Sequence, residues 1–474
     1  MSTIKRLARN SGYLFFSGVA TKILGFVALL YIARYLGPED FGKFSFAFAF
    51  IYFFSFIPDL GIHKILVREA SKEPREAGRL IGNGTIMKVS LSLAALALAF
   101  FVIAFLDFPP STNNVLYIAS FGLLLSGASC YGIIYETKLR MEYSLFFNLV
   151  SKLFFLALVL LAISRNLTLP FFVFASVSAT FVHNFLMVVF SRKFVNVSFN
   201  VDQDLMKKIM REAIPVAIAA VFSVIYFRVD VLMLSFLKGD IDVGFYSAAY
   251  RLTEAFVFLP TAFTTSTFPL MSKYFKDSFN SFGFTYAKAF KYLFSAGLLL
   301  AVLVTFSSEK IILAIYGPEY RSSVVALQIL IWATALMFVN VLVSSTCVSS
   351  GNQQIISKTA IIATFLNVLL NLALIPSLSY TGAAVATVFS ELGAMLFGMF
   401  WIQRNLLHKN LLRETVSPLA GAAVISLLIL LLKPYTGILC MNVLSIPLFA
   451  AVLYITGWVD ADDRDLFFEL IFRN

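Results

Sequence analysis

Charge is what this sequence has least of. Asp, Glu, Lys and Arg make up 13% of its 474 residues, against about 25% in an average soluble domain. A soluble chain of this length would suggest about three domains, and each would need a charged surface that this composition does not supply. Cysteine is scarce as well. Cys130, Cys347 and Cys440 all fall inside apolar runs, with neither metal-ligand spacing nor a disulfide framework, so all three are expected as small packing residues. There are only three histidines. His63 falls at a segment end, and His183, beside Asn184, is expected to make an interhelical hydrogen bond. No metal or cofactor motif is present, and none is expected to be used. Long loops that might carry a catalytic domain are missing too.

What is present is apolar sequence at bilayer length. Hydrophobic residues make up 59% of the chain, and mean hydropathy is +0.86. A membrane-spanning helix needs about 20 mostly apolar residues, because lipid leaves backbone polar groups unsatisfied unless they bond to one another. Hydropathy places about fourteen such segments, near 12–33, 43–63, 81–106, 114–137, 144–164, 168–190, 212–236, 243–268, 285–306, 322–349, 355–375, 380–402, 415–432 and 436–457. The first follows Lys5, Arg6 and Arg9 but is too long for a signal-peptide core, and it reads as a retained span. The predicted fold class is all-α, a polytopic membrane protein.

Lysine and arginine collect in alternate loops. One set holds Lys64, Arg68, Lys72, Arg75 and Arg79, then Lys138 and Arg140, then Arg192, Lys193, Lys207, Lys208 and Arg211 in the 191–211 connection. It also takes in Lys5, Arg6 and Arg9 before the first segment, then Lys273, Lys276, Lys288, Lys291, Lys358, Arg404, Lys409 and Arg413, and the tail with Arg464 and Arg473. The opposite loops hold only Arg34, Lys43, Arg165, Lys238, Lys310, Arg321 and Lys433. The excess of about 25 against about 7 predicts a cytoplasmic-membrane protein with both termini in the cytoplasm. The net charge of +11 is then chiefly a topology signal, and no nucleic-acid partner is expected.

A repeat organises the chain. Arg34-Tyr-Leu-Gly-Pro-Glu-Asp-Phe-Gly-Lys-Phe-Ser45 and Phe236-Leu-Lys-Gly-Asp-Ile-Asp-Val-Gly-Phe-Tyr-Ser247 align at one offset, which pairs Asp40 with Asp242, Gly42 with Gly244 and Ser45 with Ser247. The same offset pairs Ala47 with Ala249 and Pro58 with Pro260. This predicts two homologous six-helix lobes, at 1–190 and 212–402, joined by a cytoplasmic linker at 191–211. Two further helices follow at 403–457, and a cytoplasmic tail at 458–474. Transporters with such a plan bind substrate near the midplane between the repeats.

Charges inside the spans are the candidate site, because each costs about 2.5–3.5 kcal/mol at a span centre unless it faces a cavity or a partner. They are Lys22, Lys88, Lys152, Arg228, Asp230, Arg251 and Glu254. The basic excess predicts an anionic ligand held by Arg228, Arg251, Lys152 and Lys22, since guanidinium forks match phosphate and carboxylate geometry. Arg228 and Asp230 lie about 200° apart around their helix, so they need separate partners. Arg251 and Glu254 are three apart and can pair locally. Asp230 and Glu254 are therefore read as a coupling site for H⁺ or Na⁺ or as structural ion-pair partners. Lys88, near a span end, is expected to snorkel.

The stretch Ala33-Arg-Tyr-Leu-Gly-Pro-Glu-Asp-Phe-Gly42 resembles the first-loop signature of polysaccharide-exporting flippases of the multidrug/oligosaccharidyl-lipid/polysaccharide superfamily. So do Pro215 with Arg228-Val-Asp230, Val243-Gly-Phe-Tyr-Ser247 and Tyr316-Gly-Pro-Glu-Tyr320. Asn367, Asn371, Ile375-Pro376 and Gly382-Ala-Ala384 resemble later spans of that family, and Asp462-Asp463-Arg464-Asp465 resembles its tail more weakly. The resemblance implies a two-lobed fold with a central cavity and fourteen helices. It also implies movement of an isoprenoid pyrophosphate-linked oligosaccharide across the bilayer by rocking of the lobes, without catalysis. It transfers no fixed set of binding residues. Two alternatives stand beside this reading. A multidrug or cation extruder of the same superfamily would want acidic groups in its cavity, and a membrane enzyme of glycan assembly would want a larger catalytic loop.

Overall fold

A computed structural model describes residues 3–106, 108–407, 412–432, 437–460 and 463. Lys409, Lys433, Asp462, Arg464, Asp465 and Arg473 lie outside the described residues, as do the side chains of Lys5, Arg6, Arg9, Pro215, Arg413 and Cys440. Every regular element among the described residues is helical. Nine helical stretches among them are long and apolar enough to cross a membrane. Each of the fourteen segments expected from hydropathy falls on helix, and several share one continuous stretch. The chain divides into two compact units, Met1–Gly244 and Phe245–Asn474.

The first unit opens with α1 (Thr3–Phe54), which breaks at Gly37. Gly37 takes φ 73°, a left-handed conformation open to glycine at little cost, and Pro38 then starts the second limb with its φ already set for helix. Short helices α2 (Phe56–Asp59) and α3 (Ile62–Lys72) lead into α4 (Ala77–Phe105). There follow α5 (Pro110–Ser120), a 3₁₀ stretch at Phe121–Tyr131, α6 (Gly132–Thr137), α7 (Met141–Ser164), α8 (Leu169–Ser191) and α9 (Gln203–Lys238). The core centres on Leu66, Ile81, Ile133, Tyr135 and Phe147, all buried. The Tyr135 hydroxyl donates to the carbonyl of Met187 at 2.8 Å, so a polar tip is satisfied inside an apolar layer.

The connection between α8 and α9 is a docked strap. A Cβ at Gly78 would lie 2.1 Å from the carbonyl oxygen of Asn196, and one at Gly82 would lie 1.8 Å from that of Ser198. Only a bare backbone on α4 admits the strap so closely. Asn83 donates to the carbonyl of Asn200 at 3.0 Å and accepts the Asp202 N–H at 2.8 Å. Asp202 then caps α9 by accepting the Leu205 N–H and pairs with Arg79. Those contacts, led by the Leu205 bond, hold its carboxyl below the ordinary carboxylate range. A second pair, Arg68 with Glu212, ties α3 to α9.

The second unit takes in most of α10 (Asp240–Phe256), then α11 (Phe258–Asp277), α12 (Phe279–Ile315), α13 (Ser323–Ser349), α14 (Gln354–Asn405), α15 (Leu412–Leu432) and α16 (Ile438–Ile455). α14 breaks at Ser379, φ 53°, three residues after Pro376, giving one limb for each of two expected spans. Its core centres on Phe282, Tyr286, Phe290, Phe338 and Leu342. Cys130 and Cys347 are buried and free, as expected of packing residues. The Tyr316 hydroxyl donates to the carbonyl of Ala248 at 3.1 Å, tying the turn at Pro318–Tyr320 to α10. The repeat offset that aligns the two sequence turns also aligns Ala77 with Phe279, the first residues of α4 and α12. Both aligned prolines, Pro58 and Pro260, are buried.

Candidate functional site

Four of the six site residues expected from sequence lie in the first unit. Lys22 is exposed on the first limb of α1. Lys152 is half-buried on α7, and a Cβ at Gly25, one turn beyond Lys22, would lie 4.0 Å from its Cδ and Cε. The packing of α1 on α7 thus sets the two lysines on adjoining helices. Lys152 makes no ion pair among the described residues. Arg228 is half-buried on α9, its guanidinium carbon 5.7 Å from the centre of the Tyr52 ring on the second limb of α1, within reach of a cation–π attraction. Asp230 is buried. Its burial and the Arg228–Tyr52 contact agree with the expectation that these two neighbours point to different places.

The other two, Arg251 and Glu254, lie on α10 in the second unit. They pair at 2.9 Å between Nη1 and Oε2, the local i,i+3 pair that their spacing permits.

Two expectations for other intramembrane groups need correction. Lys88 does not snorkel: its side chain is 2% exposed, with Nζ 2.5 Å from Oδ1 of Asp59 and donating to Ser129 Oγ at 3.1 Å. The approach to Asp59 is not aligned as a hydrogen bond, so charge attraction holds the pair. His183 leaves Nδ1 buried without a hydrogen-bond partner among the described residues, not fully satisfied as its position between helices suggested. His63 at the start of α3 lies 3.0 Å from Oε1 of Glu136.

Residues 7–275 match the family model described as "Polysaccharide biosynthesis protein", over half of the chain. The chain belongs to that family. A second model, MatE, matches residues 215–373. Among relatives of this chain, the probable flippase AglR of Haloferax volcanii is 27% identical over 82% of this chain and 82% of its own length. The capsular polysaccharide biosynthesis protein CapF of Staphylococcus aureus is 21% identical over 84% of this chain and all of its own. Among solved structures, the lipid II flippase MurJ in an inward closed conformation superposes with a TM-score of 0.76 at 16% identity. That match covers 97% of this chain and all of MurJ, and so shows a shared fold.

Within this polysaccharide biosynthesis fold, sequence reasoning missed a carboxylate. Glu391, on the second limb of α14, is 3% exposed and accepts a hydrogen bond from Asn340 at 2.6 Å. A lone acid in the middle of an apolar run was the available signal. One charge barely lowers the hydropathy of its segment, so the acid does not stand out in a hydropathy profile.

Proposed function

We propose that this chain is a flippase that carries an isoprenoid pyrophosphate-linked oligosaccharide across the cytoplasmic membrane for cell-surface glycan assembly. The observation that carries the reading is Lys152, a half-buried cation within a span and without a carboxylate partner among the described residues. A cation so placed is costly unless an anion or water reaches it, and a pyrophosphate headgroup supplies that anion. Lys22, Arg228 and Arg251 are the further basic groups proposed to hold it. The names of AglR and CapF, and the family itself, support the same substrate class.

In this reading the lysine- and arginine-rich loops and both termini face the cytoplasm. The lobes 1–190 and 212–402 rock about a basic cavity while the lipid tail stays in the bilayer, and no covalent bond is changed. H⁺ or Na⁺ couples the cycle. Asp230, buried on α9, and Glu254, paired with Arg251, are the carboxylates proposed to bind it or to serve as structural ion-pair partners. The MatE match raises drug or cation export as a rival, but four basic groups within the spans repel a cationic cargo.

The test is deletion in the native host followed by analysis of both membrane leaflets. Lipid-linked oligosaccharide trapped on the cytoplasmic leaflet is the expected result. A precursor that is never made would point to an enzyme and overturn the reading. Neutralising Arg228 and Arg251 together should abolish export from a protein that still inserts, and normal surface glycan in that variant would remove them from the site.

A further inference from the structure

α10 and α11 share one polar face. Ser247, Arg251, Glu254, Phe258, Thr261 and Thr265 recur at intervals of four and three residues, the spacing that keeps side chains on one side of a helix. Val257, between the two helices, keeps helical backbone at φ −63° and ψ −16°, so the face runs on from one to the other. Pro260, Thr264 and Met271, the buried residues of α11, point to another side.

This face does not suit lipid. α11 is 20 residues long, yet it is not among the nine described stretches apolar enough to cross a membrane. Five of the seven residues from Thr261 to Thr267 carry a hydroxyl, and Thr261 and Thr265 are exposed. Hydroxyls bonded to their own backbone are tolerated in hydrocarbon. An open ion pair is not. The Arg251 and Glu254 side chains are 24% and 42% exposed in their pair at 2.9 Å, which calls for water or a polar ligand beside them. At the head of the face Ser247 is 4% exposed, its Oγ buried without a hydrogen-bond partner among the described residues.

The hydroxyl geometry narrows the ligand. Thr261 donates to the Val257 carbonyl at 2.8 Å, and Thr265 to that of Thr261 at 2.7 Å. A hydroxyl has one proton to give and two lone pairs. With the proton committed to backbone, both threonines present only acceptors outward. An ionised phosphate is itself acceptor-only and finds nothing there. A sugar carries hydroxyl donors around its ring and does fit. The Glu254 carboxylate can accept from two neighbouring sugar hydroxyls, and Phe258, half-buried between Glu254 and Thr261, offers a ring to the C–H face of a pyranose.

We propose that the oligosaccharide of the lipid-linked substrate lies along Glu254, Phe258, Thr261 and Thr265, with Arg251 at its phosphate end. From Arg251 to Thr265 the helix rises about 21 Å, room for several sugars in a row. The proposal rests on the flippase reading and assigns the part of the site that reads the glycan.

The test is cysteine accessibility in the purified full-length protein in lipid. Thr261→Cys and Thr265→Cys are made singly. Wild type, whose Cys130 and Cys347 are buried, gives the background. Phe101→Cys, at a 67% exposed position in the apolar α4, marks the lipid side. A charged methanethiosulfonate reacts with thiolates, which form where water reaches. The expected result is reaction at positions 261 and 265 and none at 101. Lipid-linked oligosaccharide extracted from the native host should then block the reaction, whereas farnesyl diphosphate, which has no sugar, should not. Thr265→Val keeps the shape but loses the hydroxyl, and it should weaken binding of the sugar lipid while leaving farnesyl diphosphate binding unchanged. That variant keeps the test decisive if the cysteine variants fold poorly. Unreactive thiols overturn the proposal, as does equal protection by farnesyl diphosphate or unaltered sugar-lipid binding in Thr265→Val. Protection by tetraphenylphosphonium in place of the sugar lipid overturns it in favour of a cationic cargo. Precursor trapped in the deletion strain, with no protection at Thr265→Cys, overturns this proposal alone, whereas normal export in that strain overturns the flippase reading.

Discussion

Gly42 and Gly244 each lie against a backbone carbonyl of the other's turn. A Cβ on Gly42 would sit 1.8 Å from the carbonyl oxygen of Asp240, and one on Gly244 would sit 1.9 Å from that of Pro38. At the offset of the sequence repeat, Pro38 aligns with Asp240 as Gly42 does with Gly244. The contact is therefore reciprocal: each repeat presents a glycine to the position in the other that begins its following helix limb. No side chain fits there, because the obstacle is main chain and does not swing aside.

Gly42→Ala and Gly244→Ala should each destabilise the protein. Overpacking costs about 1–3 kcal/mol, and a backbone obstacle puts these two at the upper end. Once one methyl has forced the turns apart, the second meets less resistance, so the double variant should cost less than the sum of the singles. Thermal unfolding of the full-length protein in detergent measures all three. Strict additivity would show that the two contacts are independent and that their reciprocity has no mechanical meaning.

The same turns show how much was legible beforehand. Apolar runs of bilayer length fix helix because lipid permits little else, so the all-helical fold followed from hydropathy alone. The aligned glycines marked the repeat, although their mutual contact could not be read from identity in register. The segment 191–211 reads as a linker because it is polar, yet the groove that holds residues 195–202 is written elsewhere, in Gly78, Gly82 and Asn83 of α4. Arg251 with Glu254 was foreseeable, since helical spacing alone brings them together. Lys88 with Asp59 was not, because its partner comes from another helix and only packing decides which one.

A prediction about pH follows from the C-terminal clasp. Lys288 lies 2.6 Å from both Asp460 Oδ1 and Asp463 Oδ1. Lys291 pairs with Asp463 and stands 4.4 Å over the Trp458 ring, and Tyr292 donates to Asp463 at 2.5 Å. Burial alone would raise the Asp463 carboxyl, but the bonds from Lys288, Lys291 and Tyr292 outweigh it and hold the group well below the carboxylate range. A depressed folded value means the contribution is complete above the unfolded pKa of about 3.9 and is lost only as pH falls through the lower one. The clasp should thus be insensitive between about pH 5 and pH 7 and weaken below about pH 4. Asp463→Asn should lower the melting temperature across that whole upper range. Its cost belongs at the low end of the about 3–5 kcal/mol for breaking a buried pair, since Asp460 remains to share both lysines. A melting temperature that falls steadily from pH 7 to pH 5 in the wild type, but not in Asp463→Asn, would contradict this assignment.

The Lys88–Asp59 pair should break unevenly. Lys88 is 2% exposed, whereas the Asp59 side chain is 41% exposed. Asp59→Asn leaves a buried ammonium that donates to the Ser129 hydroxyl, and the uncompensated charge should cost about 3–5 kcal/mol. Lys88→Met leaves a carboxylate that is far less buried than the ammonium, at 41% exposed, and methionine fills much of the lysine's volume in an adaptable shape. That single change should cost clearly less than Asp59→Asn. Adding Lys88→Met to Asp59→Asn should then recover stability, because it removes the stranded charge instead of adding a second defect. Thermal unfolding of the two single variants and the double one in detergent decides the matter. Equal losses in the two singles would mean that the ammonium reaches water in solution, and that Lys88 snorkels as its position along the span first suggested.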